Sequence, residues 1–189
     1  MEKELFKKKY REANTIQDPL FKKKVQESNE KFGKETKLVM RMEELSELFQ
    51  ALSKHYCQKG DLLNLIEELG DQLVCVEGMR QFYDISEEEL DKAFQCAKRF
   101  VSEQKQGSGK GDNLLTFMKE VIDISHIFSK CCIEWIGRSQ MLSTLCSLLI
   151  CVDNLCQYYG IGEDELNKDI NVKIDRGIFN TISLDAVVE

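Results

Sequence analysis

The chain has 189 residues, of which 42% are hydrophobic and 31% charged, with 33 acidic against 26 basic side chains and a net charge of -7. That balance argues against nucleic acid as a standing partner, because phosphate backbones are held by basic surfaces. The opening stretch MEKELFKKKYRE is charged throughout, and no apolar run approaches the ~20 residues of a bilayer span, so a cytoplasmic protein without a membrane partner is expected. A single proline and the lack of alternating Val, Ile and Tyr favour an all-α fold. The eight cysteines form no CxxC pair and mostly fall within apolar helical pattern, which reads as buried reduced thiols rather than a disulfide or zinc framework.

Asp18-Pro19 predicts a helix start, an N-cap followed by proline at the first helical position, with the helix running to about Lys31 and ending near Gly33. A second helix is expected from about Glu35 to Gly60. Its apolar residues Leu38, Met42, Leu45, Phe49, Leu52 and Tyr56 keep a four-and-three rhythm. The same rhythm at Leu62, Ile66, Leu69, Leu73 and Val76 predicts a third helix to about Tyr83. Ser86, with Glu89 three residues on, reads as a capping box opening a fourth helix that ends near Val101. Residues 102–113, SEQKQGSGKGDN, are polar and glycine-rich and read as a linker. The GSGKG within it is no P-loop, because no strand precedes it and no Ser or Thr follows Lys110.

Beyond the linker the pattern starts again. A shift of 76 positions sets residues 38–100 on 114–176 without a gap, with 16 of 63 positions identical. The clearest stretch pairs YDISEEELDK (83–92) with YGIGEDELNK (159–168). This reads as a duplication: an N-terminal unit over 1–101, the linker over 102–113, and a second unit over 114–189. Two such units would cover each other's apolar faces as an intrachain pseudo-dimer.

The second helix holds Glu44-Leu45-Ser46-Glu47 and the third Glu68-Leu69-Gly70-Asp71. Spacing of i, i+3 places each acid pair on one helix face. In an antiparallel hairpin turning at Gly60-Asp61, both pairs stand at comparable distances from the turn, so four carboxylates converge. Their mutual repulsion is best relieved by a divalent cation, and hard oxygen ligands suit Mg²⁺ or Mn²⁺. Gly70, costly inside a helix, supports close packing there. Lys54 lies seven residues after Glu47, on nearly the same face, and could meet a phosphate or simply face solvent. His55, His126 and Trp135 are candidates for stacking on a base, and nothing in the sequence selects one.

ExxE, a gap of some twenty residues and ExxD on the next helix resemble the signature of the all-α NTP pyrophosphatase superfamily, which includes MazG, the dimeric dUTPases and the dCTP pyrophosphatases. The resemblance is strong over 34–100 and weaker over 112–180. It implies an Mg²⁺-dependent hydrolase that splits a nucleoside triphosphate into monophosphate and pyrophosphate. Glu44, Glu47, Glu68 and Asp71 would be the metal ligands, and a first-motif glutamate (Glu44, or Glu43 or Glu47) would activate water. In the second unit Glu120 and Asp123 keep one acid pair, whereas Thr144 and Ser147 replace the other. That unit carries NVKIDR (171–176), similar to the superfamily's Asn-x-Lys-x-x-Arg segment, so Asn171, Lys173 and Arg176 would contact phosphates. The first unit reads QCAKRF there. The expectation is therefore one composite site, with acids from one unit and cations from the other. A homodimer forming a pseudo-tetramer, and a catalytically weak nucleotide-binding protein, are the further expectations the resemblance allows.

Overall fold

Pro19 opens the first of five helices in the computed structural model, which describes residues 19–108, 113–133, 136–162 and 164–166. The helices are α1 (Pro19–Tyr56), α2 (Leu62–Phe82), α3 (Glu87–Ser108), α4 (Leu114–Ile133) and α5 (Arg138–Tyr159). No strand occurs among the described residues, so the chain is all-α. The Asp18 cap lies outside the described residues.

Gly33 divides α1 with a kink, at φ 73° and ψ 168°. That backbone region is essentially open to glycine alone, so the expected helix end and restart at Gly33–Glu35 has a backbone cause. The arm 19–32 then lies against α2. Asn29 Nδ2 donates to Gly78 O at 3.1 Å and to Gln81 Oε1 at 3.2 Å. Gln81 Nε2 donates to Lys22 O at 3.1 Å, and Lys22 pairs with Glu87 at 2.6 Å. Phe21 and Val25 anchor the arm in the core. Gly33→Ala is expected to cost about 1–3 kcal/mol in chemical denaturation. A Cβ there meets nothing within 4 Å, so the loss is conformational rather than steric.

A turn over 57–61 reverses the chain into α2, whose N-cap Asp61 accepts from Leu63 N–H at 3.1 Å. Helix α2 runs antiparallel to α1. Arg41 Nη1 meets Cys75 Sγ at 3.0 Å and Gln72 Nε2 donates to Glu44 O at 3.0 Å, which sets the register. Leu38, Leu45 and Leu52 are buried as their spacing predicts, but Tyr56 and Leu62 flank the turn and are exposed. At the start of α3 the capping box closes reciprocally. Ser86 Oγ accepts from Glu89 N–H at 3.1 Å, and the Glu89 carboxylate accepts from Ser86 N–H. Helix α3 continues to Ser108, well past the expected end near Val101. Glu103, Gln104, Lys105 and Gln106 are good helix formers, so the lack of apolar anchors does not end the helix, and the first part of the expected linker is helical.

Helix α1 packs against α2 and α4, while α5 packs against α2, α3 and α4. Leu45, Leu48 and Leu52 of α1, Leu65 and Leu69 of α2, Phe117 and Phe128 of α4, and Met141 and Leu145 of α5 make the most deeply buried layer. By length and composition α5 could cross a bilayer, contrary to the sequence expectation of no such run. In the fold it is the central core helix, and its apolar residues are spent on three neighbouring helices.

The 76-residue offset reappears in local structure. Helices α2 and α5 begin at Leu62 and Arg138. Asp84 (φ 51°) and Gly160 (φ 68°) take the left-handed conformation at matching places. Ile85 N–H donates to Arg80 O and Ile161 N–H to Cys156 O, again one offset apart. Arg138, at the start of α5, donates to Asp84 O and to the Glu89 carboxylate, tying the second helical hairpin to the α2–α3 turn.

All described cysteines are free thiols. Cys75, Cys146, Cys151 and Cys156 are buried and Cys131 is half-buried, but Cys57 and Cys96 are exposed, against the expectation of general burial. Burial pushes the Cys146 thiol up to about 11 and Cys156 to about 12, so both are neutral, apolar filling.

Candidate metal centre

The α1–α2 hairpin brings Glu44, Glu68 and Asp71 together, with one carboxylate oxygen of each within 4.8 Å of the others. All three are partly exposed. Glu44 stands on α1, where Gln72 grips its backbone carbonyl from α2. Glu68 is held one helical turn along from Asn64, whose Nδ2 donates to Glu68 Oε1 at 2.8 Å. Asp71 follows on the same face of α2. Among the described residues this is the one group of three or more His, Cys, Asp and Glu with metal-ligand geometry. Its donors are all hard oxygens, which fit a divalent cation that also keeps water or phosphate oxygens in its shell.

Glu47 is exposed and falls outside this group. The pairing of Arg41 with Cys75 and of Glu44 with Gln72 turns the Glu44 side of α1 toward α2, and Leu48 rather than Glu47 faces the core. The convergence predicted for four carboxylates therefore holds for three. Lys54 is exposed near the end of α1. His55 is engaged in the turn: a ring nitrogen meets Asp61 O at 3.1 Å, and the ring packs edge-on against Tyr159 at 5.0 Å. A Cβ at residue 60 would meet the imidazole at 2.4 Å, so Gly60 is the residue that lets His55 close the turn. His126 is exposed on α4. Trp135, Asn171, Lys173 and Arg176 lie outside the described residues.

Two cations that sequence reasoning missed stand behind the triad. Lys37 and Arg41 are only 5% and 4% exposed. Burial, with Arg41 beside it, pulls the Lys37 ammonium down to about 8, while Cys75 and Glu44 pull the other way. Its Nζ donates to Ser28 Oγ at 2.6 Å. Burial pushes the Cys75 thiol up to about 11, opposed by Arg41 and reinforced by Glu44 and Asp71. The sulfur facing Arg41 is thus neutral. The signal was present in the spacing: 37, 41, 45 and 48 follow the same four-and-three rhythm as the core residues.

The second unit has a different inventory at the matching positions. Thr144 is buried and donates to Gln140 O at 2.8 Å, and Ser147 donates to Ser143 O at 3.1 Å. Asp123 is spent on a surface pair with Lys119. Glu120 meets the thiol of Cys151, which burial and that carboxylate push up. Buried Phe117 stands where the first unit has Arg41. Compared with family models, curated proteins and solved structures, the chain finds no match in any of the three.

Proposed function

We propose that the chain is an Mg²⁺-dependent nucleoside triphosphate pyrophosphohydrolase of the MazG-like kind, formed by two tandem helical units packed as an intrachain pseudo-dimer. The observation that carries this reading is the meeting of Glu44, Glu68 and Asp71, drawn from an ExxE and an ExxD motif, on one antiparallel hairpin. The packing of α1 on α4 and of α2 on α5, helices matched by the 76-residue offset, supports the pseudo-dimer.

In this reading Glu44, Glu68 and Asp71 hold the cation, which supplies charge neutralisation at phosphate oxygens and a more acidic water. Glu44 is committed to the triad, so Glu47, exposed one turn further along α1, is the better placed first-motif residue to orient a water and take its proton. Glu43, also exposed, is its alternative. The chemistry is in-line attack on phosphorus, where positioning and charge neutralisation carry most of the rate.

A panel of nucleoside and deoxynucleoside triphosphates with Mg²⁺, scored for pyrophosphate against inorganic phosphate, tests the reading. The expected products are a monophosphate and pyrophosphate, and release of inorganic phosphate with a diphosphate overturns the MazG-like assignment. The replacement of Glu68 and Asp71 by Thr144 and Ser147 in the second unit favours one alternative, a nucleotide-binding regulator of low turnover. Metal-dependent nucleotide binding without pyrophosphate release identifies that case.

The composite clamp belongs to the same proposal, with Asn171, Lys173 and Arg176 of the second unit meeting phosphates. A charge-assisted phosphate contact contributes ~1.5–3 kcal/mol, so Lys173→Ala is expected to lower kcat/KM about ten- to hundredfold. Full activity in that variant removes the clamp from the reading. The chain would act in the cytoplasm, with pairing of two chains into a pseudo-tetramer as its further assembly.

A further inference from the structure

Arg41 is a buried guanidinium. Its Nη1 meets the neutral Cys75 thiol at 3.0 Å, and its Nε is buried with no hydrogen-bond partner. A fixed positive charge and an unmade donor in such a place cost several kcal/mol unless something compensates them. One turn earlier on the same face, Lys37 is equally buried, and its Nζ reaches a neutral hydroxyl, Ser28 Oγ. Both cations come from the hairpin that carries the acidic triad. Arg41 stands one turn before Glu44 on α1, and Cys75, which it meets, stands one turn after Asp71 on α2, so the guanidinium and two of the triad residues share one stretch of the hairpin.

The chain contains its own comparison. Where the second unit has Thr144 and Ser147 in place of Glu68 and Asp71, it also has Phe117 in place of Arg41. Buried Phe117 fills its position with no charge to compensate, so the fold does not require an arginine there. Arg41 and the Glu68–Asp71 pair are replaced together at the matching positions, where Glu120 alone keeps the place of a triad acid, Glu44.

We propose that Lys37 and Arg41 form an oxyanion subsite next to the triad, which binds phosphate oxygens of the polyphosphate whose metal ion the triad holds. The subsite rests on the metal and triphosphate reading of the triad. An anion there completes the Arg41 donors and neutralises both buried charges, and the guanidinium fork suits a phosphate. Access is controlled by the arm 19–32, which lies over the pair through Ser28 and Asn29. A Cβ on Gly78 would sit 2.9 Å from Arg41 Nη2 and 3.4 Å from Asn29 Oδ1, and that Asn29 oxygen is also buried without a partner. The glycine is therefore the floor on which arm and guanidinium meet, and Gly33 is the kink where the arm joins the rest of α1.

The experiment measures binding of inorganic triphosphate to the full chain by calorimetry with and without Mg²⁺, alongside the melting shift caused by Mg²⁺ alone. Arg41→Met and Lys37→Met are compared with wild type. Lys119→Met, an exposed lysine of the second unit, controls for net charge. Arg41→Met should weaken triphosphate binding about ten- to hundredfold, the loss of one or two charge-assisted bonds, and leave the Mg²⁺ shift in place. Methionine fits a buried site, and if Arg41→Met nevertheless fails to fold, Lys37→Met decides. Triphosphate should also speed amide exchange in residues 19–32 of wild type, and unchanged exchange overturns the arm as the gate. Wild-type affinity in both variants overturns the subsite while leaving the metal reading intact. A wild type whose melting ignores Mg²⁺ overturns the metal reading instead, and the metal-free comparison of Arg41→Met with wild type then decides the cation pair alone.

Discussion

Replacing Glu68 with Gln and Asp71 with Asn together is expected to abolish Mg²⁺-dependent hydrolysis and to raise the melting temperature measured in EDTA. In the metal-free protein three carboxylate oxygens lie within 4.8 Å of one another. Their charges repel where the side chains are partly buried and the effective dielectric is well below that of water. The amides keep shape and hydrogen-bonding capacity, so Asn64 can still reach residue 68 while the repulsion disappears. Wild type should gain stability from the cation by linkage, about 2.7 kcal/mol at a hundredfold excess over Kd, and the double variant should gain none. Turnover should fall by roughly a thousandfold or more, because a bound metal contributes several kcal/mol of charge stabilisation to phosphoryl chemistry. Equal melting of wild type with and without Mg²⁺, together with an unaltered double variant, rules out the triad as a metal centre.

Arg80→Met should destabilise the protein by about 3–5 kcal/mol, the usual consequence of removing one partner from a buried ion pair. Glu77 is 2% exposed and is met bidentately by Arg80, with Nε at 2.8 Å and Nη2 at 2.7 Å. The same guanidinium donates to Ile85 O at 2.8 Å, fastening the end of α2 to the α2–α3 turn. Its loss leaves a carboxylate in the core that keeps the Gln81 Nε2 donor at 2.8 Å but no longer faces a cation on its own helix. The second unit offers an internal contrast. Asp153, 76 positions beyond Glu77, is also buried, but its cation is Lys98 from α3, with Gln157 as a further donor at 2.9 Å. Lys98 remains 34% exposed, so water can replace it. Lys98→Met should therefore cost clearly less than Arg80→Met under the same urea titration. Equal costs would mean that burial of the acid, and not access of water to the cation, sets the penalty.

The two buried acids, 76 positions apart, are partnered differently. Cys156 occupies the position matching Arg80, and Asp153 takes its cation from another helix. The acid persists in both units while its partner changes place. The Glu68–Asp71 pair and Arg41 behave differently, since Thr144, Ser147 and Phe117 stand at the matching positions while Glu120 keeps the place of Glu44.

The all-α class, the helix break at Gly33, the Ser86–Glu89 cap, the turn at Gly60–Asp61 and the 76-residue offset were legible from residue order, because each rests on interactions spanning only a few residues or on direct comparison of two stretches. Local spacing also located both acidic motifs. It could not say which of the four acids meet, since that depends on the rotation of α1 against α2, set by Arg41 on Cys75 and Gln72 on the Glu44 carbonyl. Burial of Lys37 and Arg41 has the same origin: a cation in core rhythm is ordinarily read as surface, and only the arm folded back at Gly33 encloses these two. The extension of α3 to Ser108 was missed because apolar spacing reports packing, whereas a helix end depends on propensity and caps. Conversely, the apolar run of α5 carries no information about its surroundings until α2, α3 and α4 are seen packed around it. Periodicity determines which face of a helix is apolar, but only the contacts between helices determine what that face meets.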